Sequence, residues 1–242
     1  MKNLKDYILT EGFKLGKNKV RKTTYNFYPK NKQELREIIK EKVKNDNFNF
    51  NDIDVSNVTD MSDLFFALDS NTRNKITKLD LTNWNVENVE NMQNIFSSIY
   101  NLEELNINGW ITSSVKKFDG AFEYCEKLVN IIGIEDLNTQ KAISLESMFR
   151  NCESLQKIDL SKWNLSHCRI SISMFEDCYS LNTIGDTSQW DLKLLKEADF
   201  MFYNCEKLKN IQGIENWNIS QLNKTQQMFD NCDKSIIPSW YE

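Results

Sequence analysis

The chain has 242 residues and a formal net charge of −5, with a pI near 5.2. Hydrophobic residues make up 40% of it and aromatic residues 12%, which is enough for a continuous core and excludes a disordered chain. Because nucleic-acid-binding proteins usually carry a basic excess or a basic stripe, the acidic balance predicts no nucleic-acid partner.

The start of the chain differs in charge from the rest. Residues 1–44 hold 13 basic and five acidic side chains, an asymmetry that is typical of a docking end or of a solvated surface. Asn31, with Glu34 three residues later, predicts a helix start, and the helix should run to about Lys44. Its apolar stripe consists of Leu35, Ile38, Ile39 and Val43. We expect residues 1–50 to be either a cap for the chain that follows or a docking element.

The N-terminus lacks the apolar run and the small-residue cleavage pattern of a signal peptide. No stretch of the sequence is long and apolar enough to span a bilayer. The sequence therefore predicts a protein without a membrane span, cytoplasmic at synthesis, and either free or associated with a virion or another particle.

A phenylalanine preceded by an apolar residue or alanine recurs along most of the chain. The spacings between successive copies are 31, 26, 27, 26, 27 and 27 residues. The phenylalanines are Phe65, Phe96, Phe122, Phe149, Phe175, Phe202 and Phe229. A period near 27 residues predicts a solenoid of about seven stacked units, with residues 51–235 forming the array and residues 236–242 a C-terminal tail.

The unit is clearest at Ser144–Leu165. Leu145, Met148, Phe149 and Cys152 occupy one face of a predicted short helix, with Ser144 as its N-cap. The alternation of Leu155, Ile158 and Leu160 with polar residues then predicts a strand, and Trp163 closes the unit at a corner. We therefore expect an α/β solenoid of helix–turn–strand units with an N-terminal capping segment.

Several units depart from this pattern. The copies at Gly185 and Gly213 contain one extra residue, which predicts a bulge. The Gly133 copy has Leu137 where tryptophan is expected, and the polar insertion at 68–75 predicts a protruding loop. Trp240 and Tyr241 fall outside the repeated tryptophan positions.

Reactive side chains are few. Five of the six cysteines hold one repeat position, 26 or 27 residues apart, which indicates buried core thiols instead of a zinc site or a disulfide framework. His167 and Cys168 form the one candidate nucleophile–base pair, but sequence neighbours have diverging side chains. Phosphate-binding and metalloprotease motifs are absent from the sequence, and the sequence predicts no cofactor, no metal and no catalysis.

The residues Met148–Asn164, with the pattern M-F-x-x-C-x-x-L-x-x-I-D-L-S-x-W-N, resemble the BspA-type leucine-rich repeat. The stretch VSNVTDMSDLF at Val55–Phe65 is similar to the same family's recurring entry segment. The resemblance covers roughly residues 50–235, and it implies a right-handed α/β solenoid. Family members are frequently cell-surface or lipoprotein-associated proteins that bind other proteins, although this sequence shows no leader or anchor of that kind.

The outward positions of the predicted strands align into one broad surface of the kind that binds proteins in solenoids. We predict that this surface contacts another protein through Lys78, Asp80, Glu104, Asn106, Asn130, Lys157, Asp159, Asn210 and Gln212. The sequence thus favours a non-enzymatic protein–protein interaction module. The alternative is a structural component of a larger assembly, such as a virion or a surface particle, attached through its basic N-terminal segment.

Overall fold

The structure is a computed structural model that describes residues 24–241. Its helices and strands are short, and most of the chain runs in turns that stack one coil upon the next. The elements are α1 (Lys32–Lys44), α2 (Ser70–Arg73), β1 (Lys78–Asp80), β2 (Glu104–Asn106) and β3 (Asn130–Ile132), with 3-10 turns at Ile134–Asp136, Ile214–Asn216 and Lys234–Ile236.

One residue of each coil forms an isolated parallel bridge with its counterpart in the next coil. The bridged residues are Asp60, Asn91, Lys117, Ser144, Ile170, Glu197 and Lys224. We call this set the turn ladder, and its intervals are the same as those between the phenylalanines. Each coil is named after its phenylalanine, so that the Phe149 coil begins at Ser144.

The predicted short helix after Ser144 is wrong, because this segment forms consecutive turns. Met148 N–H donates to Leu145 O at 3.2 Å, and Cys152 N–H donates to Phe149 O at 3.1 Å. Ser147 and Asn151 have φ angles of 54° and 57°. Left-handed residues at this spacing interrupt the i→i−4 bonding of an α-helix, so the coil is built from turns and a strand segment, and not from helix, turn and strand.

Alternate amides of the same segment reach the next coil. Ser147 N–H donates to Ile172 O and Phe149 N–H to Met174 O, both at 2.9 Å. Turns within a coil therefore satisfy one set of amides, and the neighbouring coil satisfies the other. This division holds the left-handed residues in place, since their main-chain groups are bonded on both sides.

On the opposite side of the coils, strands β1, β2 and β3 form a parallel sheet in that order. Lys78 pairs with Glu104, and Glu104 pairs with Asn130. Further along, isolated bridges join Lys157 to Thr183 and Asp186 to Gln212. The solenoid thus has a continuous turn ladder on one side and an interrupted strand ladder on the other.

Helix α1 packs against the first coil, and its start is as predicted. The Asn31 side chain accepts a hydrogen bond from Glu34 N–H as the N-cap. Leu35 and Ile39 are fully buried in the common core. The helix is also tied to the array by ion pairs, with Lys32 at 2.6 Å from Asp60.

The seven phenylalanine rings form one continuous column through the core. Centroids of successive rings lie 5.2 to 5.5 Å apart, in stacked geometry. Phe50 closes the column edge-on at one end, 5.7 Å from Phe65, and Tyr241 closes it at the other, 5.0 Å from Phe229. Because the rings fill the interior at nearly the spacing of paired strands, side-chain packing and main-chain pairing agree.

The tryptophans tie each corner to the preceding coil. Trp163 Nε1–H donates to Ile134 O at 2.9 Å, and Trp84, Trp110 and Trp190 make the corresponding main-chain bond. Trp217 donates instead to the Thr187 hydroxyl of the preceding coil, at 3.0 Å. Trp240 Nε1–H donates in the same way as Trp163, to Ile214 O at 3.1 Å, so the prediction that Trp240 lies outside the tryptophan positions is wrong. The C-terminal tail therefore continues the corner column.

The polar insertion at 68–75 is ordered by its own contacts. It contains α2, whose N-cap Asp69 accepts from Thr72 N–H at 3.0 Å. The Arg73 guanidinium donates to Leu68 O and lies 5.1 Å from the centre of the Phe66 ring. The predicted loop thus carries one helical turn fastened by a single arginine.

In each of the longer coils, one glycine lies very close to the preceding coil. Gly133, Gly185 and Gly213 occupy the extra position and have φ angles of 92°, 85° and 87°. A Cβ at Gly133 would lie 2.7 Å from Asn108 Cα, and one at Gly213 would lie 2.4 Å from Ser188 N. At Gly133 and Gly213 a 3-10 turn after the glycine, and not a simple bulge, accommodates the extra residue, whereas Gly185 lies between the bridged residues Thr183 and Asp186.

Two glycines provide a matched test of this close approach. Gly109 has a φ of 87°, but a Cβ there would meet nothing within 4 Å. We expect Gly109→Ala to lower the free energy of unfolding by about 1–2 kcal/mol, from the left-handed backbone alone. Gly133→Ala should lower it by about 1–3 kcal/mol more, because the methyl group collides with the Asn108 backbone. Urea denaturation of both variants measures the difference, and equal losses would contradict the account.

Candidate binding face

The residues predicted to bind a partner lie along the strand side of the solenoid. Six of them are exposed, Asp80 and Glu104 are partly exposed, and Asn106 is buried, with 8% of its surface accessible. The exposed ones are Lys78, Asn130, Lys157, Asp159, Asn210 and Gln212. We call this surface the strand face. Its binding of a partner stays a prediction.

Several of the predicted residues also stabilise turns on this face. The Asp80, Asn106 and Asp159 side chains each accept a hydrogen bond from the main-chain N–H two residues later. Such turns end the strand and lead the chain into the tryptophan corner. The bonds from Ser161 also lower the pKa of Asp159, so this carboxylate stays ionised.

Other predicted residues pair along the face. Lys78 Nζ lies 3.0 Å from Glu104 Oε1. Gln212 Nε2 donates to Asp186 Oδ2 at 2.8 Å. Within residues 24–241, no side-chain hydrogen bond is recorded for Asn130, Lys157 or Asn210, so these are the predicted polar groups most available to a partner.

An open cleft separates Asn130 from Lys157. Its volume is about 730 Å³, within the range of small-ligand and peptide-side-chain pockets. Ile131 and Ile158 lie on its two sides, both buried in the core, and Val129 is 47% exposed at its edge. The polar lining residues are Asn130, Glu135, Lys157, Asp159 and Thr183.

The cleft coincides with the interruption of the strand ladder. Strand β3 ends the three-stranded sheet, and the next bridge starts at Lys157 and runs forward to Thr183. Between β3 and the segment 156–159 no main-chain hydrogen bond is recorded in the described part of the chain. Two strand edges therefore face each other across the cleft without pairing.

A difference in coil length explains the opening. The Phe122 coil has 27 residues and the following Phe149 coil has 26. Gly133 lies close to the backbone of the coil before it, since a Cβ there would be 2.7 Å from Asn108 Cα. Below the cleft the turn ladder stays paired at Lys117 and Ser144, so the gap is confined to the strand side.

Charged groups surround the rim of the cleft. Lys162 Nζ lies 2.6 Å from Asp136 Oδ1, and this hydrogen bond raises the pKa of the lysine, with smaller contributions from Glu135 and Asp159. The cleft itself is lined by Glu135, Asp159 and Lys157, and the Lys162–Asp136 pair lies in the neighbouring cavity that shares Glu135. Glu135 itself makes no recorded hydrogen bond within residues 24–241.

The sequence did not identify this cleft as a site. Asn130, Lys157 and Asp159 were predicted as outward strand residues, but Glu135 was not, because it follows the strand in a 3-10 turn. The available signal was the combination of Gly133 with Leu137 at the tryptophan position, which marks the coil as irregular.

The one candidate catalytic pair is not assembled. His167 is exposed, and its Nδ1 lies 3.3 Å from Ser166 Oγ. Cys168 is buried and its thiol donates to Ile170 O, while burial raises its pKa to about 12. The His167 side chain is therefore at the surface and the Cys168 thiol is in the core, and the two do not form a nucleophile–base pair.

The five repeat cysteines form a column beside the phenylalanines. Each thiol donates to the main-chain oxygen of the phenylalanine in the preceding coil, as Cys152 Sγ does to Phe122 O at 3.2 Å. Burial raises the pKa of Cys125 to about 12. These thiols act as small core residues that satisfy a main-chain acceptor.

We predict that the folded protein resists thiol alkylation. Thiolate is the reactive form, and raising the thiol pKa from 9 to about 12 lowers its fraction about a thousandfold at pH 8. Iodoacetamide treatment at pH 8 followed by mass spectrometry should label the native chain slowly, with the half-buried Cys232 first, and all six cysteines quickly in urea. Rapid labelling of Cys125 or Cys152 in the native protein would contradict this assignment.

No helix within residues 24–241 is long and apolar enough to cross a membrane. In the same residues, no group of three or more histidine, cysteine or acidic side chains is placed to hold a metal ion.

The chain is similar to known proteins in two comparisons. A family model described as "Mycoplasma protein of unknown function, DUF285" matches residues 33–133 and 126–240. The crystal structure of a leucine-rich repeat protein from Eubacterium ventriosum superposes with a TM-score of 0.51 and 17% identity, over 77% of this chain and 44% of that one. This chain therefore spans less than half the length of that protein, and the likeness shows the fold alone.

The remaining comparisons add little. A TLR13–ssRNA13 complex aligns with a TM-score of only 0.24 and 14% identity, over 77% of this chain and 40% of that one, and supports no inference. No curated protein matches the sequence. The stacked coils and the two family matches, which together span most of the sequence, agree: the chain is a leucine-rich-repeat-like solenoid that belongs to the DUF285 family.

Proposed function

We propose that the protein is a non-enzymatic module that binds another protein through its strand face. The array would comprise about seven BspA-type units at residues 51–235, with residues 1–50 as the N-terminal segment and 236–242 as the tail. A leucine-rich repeat fold is in general a protein-interaction scaffold, and solenoids present broad, rigid surfaces.

The observation that carries the proposal is the contrast between the two sides of the solenoid. On the turn side, every bridge from Asp60 to Lys224 is made to the next coil. The strand face instead has a gap in its ladder, an open cleft, and polar residues such as Asn130 and Lys157 without recorded partners. Unpaired strand edges are thus available for a partner on the strand side.

The chemistry of the described residues supports a role without catalysis. The buried thiols have pKa values far above neutral pH and lack an adjacent base, so they are poor nucleophiles. The single histidine, His167, is exposed and lies outside the cleft. A binding role requires neither group.

The basic residues of α1 favour capping over attachment to a larger assembly. Lys32 pairs with Asp60, Lys42 pairs with Asp52 at 2.9 Å, and the Arg36 guanidinium donates to Ser62 O at 2.9 Å. These three side chains are engaged with the array itself. An attachment role would then fall to the other basic residues of the segment, among them the exposed Lys40 and Lys44.

A comparison of two double variants tests the proposal. The face variant, Asn130→Arg with Lys157→Glu, changes exposed residues of the strand face. The control, Asn223→Arg with Lys196→Glu, makes the same exchanges at exposed residues beside the turn ladder. Immobilised full-length proteins are used to capture partners from a lysate of the native host, with quantitative mass spectrometry.

We expect at least one protein to be captured by the wild type and the control and to be depleted about tenfold or more with the face variant. Circular dichroism checks that all three proteins are folded. If the captured set is the same for the face variant and the wild type, the strand face is not the binding surface.

A further inference from the structure

We propose that the cleft between the Phe122 and Phe149 coils binds an extended segment of the partner protein that presents one aliphatic and one basic side chain. The inference rests on the proposed protein-binding function and assigns it to one place on the strand face. Three features of the cleft support it: apolar walls, unpaired strand edges, and a carboxylate without a donor.

The walls of the cleft suit an aliphatic side chain. Ile131, Ile134, Leu155 and Ile158 line it, and Val129 extends the apolar surface to the edge. None of the residues that line this described cleft is aromatic. Sugar rings and nucleic-acid bases are generally recognised by stacking on aromatic side chains, so the lining favours a branched aliphatic group over either of them.

The main chain of the cleft suits an extended segment. β3 is paired on one side only, and the segment from Lys157 pairs only with the coil that follows it. Peptides commonly bind such edges by adding a strand, with main-chain hydrogen bonds giving affinity and side-chain pockets giving specificity. At about 3.3 Å per residue, a few extended residues are enough to follow the short edge of β3.

A second copy of the same turn within the chain indicates which hydrogen-bond donors Glu135 could bind. Gly213-Ile214-Glu215 corresponds to Gly133-Ile134-Glu135, and both form 3-10 turns. The Glu215 carboxylate accepts hydrogen bonds from Ser239 N–H at 3.0 Å and from Ser239 Oγ–H at 2.8 Å. Glu135 is placed at the matching position of the open cleft without such a donor in residues 24–241.

The surrounding charges make a cation the most favourable donor for Glu135. At the position that corresponds to Ser239, directly before the corner tryptophan, the Phe149 coil has Lys162, and Asp159 of the same coil also lines the cleft. Lys162 is already paired with Asp136. A lysine or arginine of the partner would offset the repulsion between Glu135 and Asp159 and form charge-assisted hydrogen bonds. Lys157 on the opposite side accommodates an acidic or carbonyl group of the same segment.

The probe is a phage-displayed library of random linear peptides of twelve residues, selected on the immobilised full-length protein. We expect recovered peptides to share a lysine or arginine close to a valine, isoleucine or leucine. Synthetic copies are then titrated by fluorescence anisotropy against wild type and four variants. Glu135→Lys and Val129→Asp alter the cleft, while Glu206→Lys and Ile143→Asp alter exposed residues elsewhere, with Ile143 (41% exposed) matched to Val129.

Affinity should fall at least tenfold for each cleft variant and stay within twofold for each control. Recovery of no peptide, of peptides without this signature, or of peptides indifferent to Glu135→Lys and Val129→Asp would overturn the proposal. If the face variant, Asn130→Arg with Lys157→Glu, is titrated alongside and is the only one to lose binding, the strand face is retained and this ligand chemistry is rejected. An unchanged capture set in the double-variant experiment would instead reject the strand face itself.

Discussion

Stacking of the phenylalanine rings is the constraint on which the rest of this solenoid depends. Each ring must sit over the ring of the preceding coil, at 5.2 to 5.5 Å between centroids. The coil around it must therefore return to the same place every turn. Two side chains beside the column also bond to the preceding coil. The Cys152 thiol donates to Phe122 O, and the Trp163 indole donates to Ile134 O. Because the coils repeat, the same hydrogen bonds satisfy the buried thiol and indole groups in successive coils.

The stacking of the rings still allows coils of 26 or 27 residues. The surface is irregular where coils of different length are adjacent. An extra residue cannot enter the column or the turn ladder without shifting both. It is placed instead on the strand side, where Gly133 brings the main chain against Asn108. The following coil is one residue shorter, and the strand ladder is interrupted between these two coils. The core is thus uniform along the described coils, whereas the strand face contains the open cleft between the Phe122 and Phe149 coils.

Much of the fold was predictable from the sequence, because the repeat positions correspond to burial. The spacing of Phe149 and its equivalents predicted the stacked coils, and Asn31 predicted the start of α1. The predicted helix after Ser144 failed because apolar residues at i, i+3 and i+4 also fit turns with left-handed residues at Ser147 and Asn151. The cleft required knowledge of how adjacent coils pair, which no single repeat contains. Glu135 was therefore missed, although Lys157 and Asn130 beside it were predicted.

Comparison of Phe149→Ala with Phe66→Ala by urea denaturation tests the role of the column most directly. Phe149 is fully buried between Phe122 and Phe175, whereas Phe66 is the next residue after a column member and is 43% exposed. The account predicts that Phe149→Ala lowers the free energy of unfolding by about 3–5 kcal/mol. Phe66→Ala, which removes the contact with Arg73, should lower it by about 1 kcal/mol or less. Similar losses for the two variants would contradict the claim that the stacked rings hold the coils together.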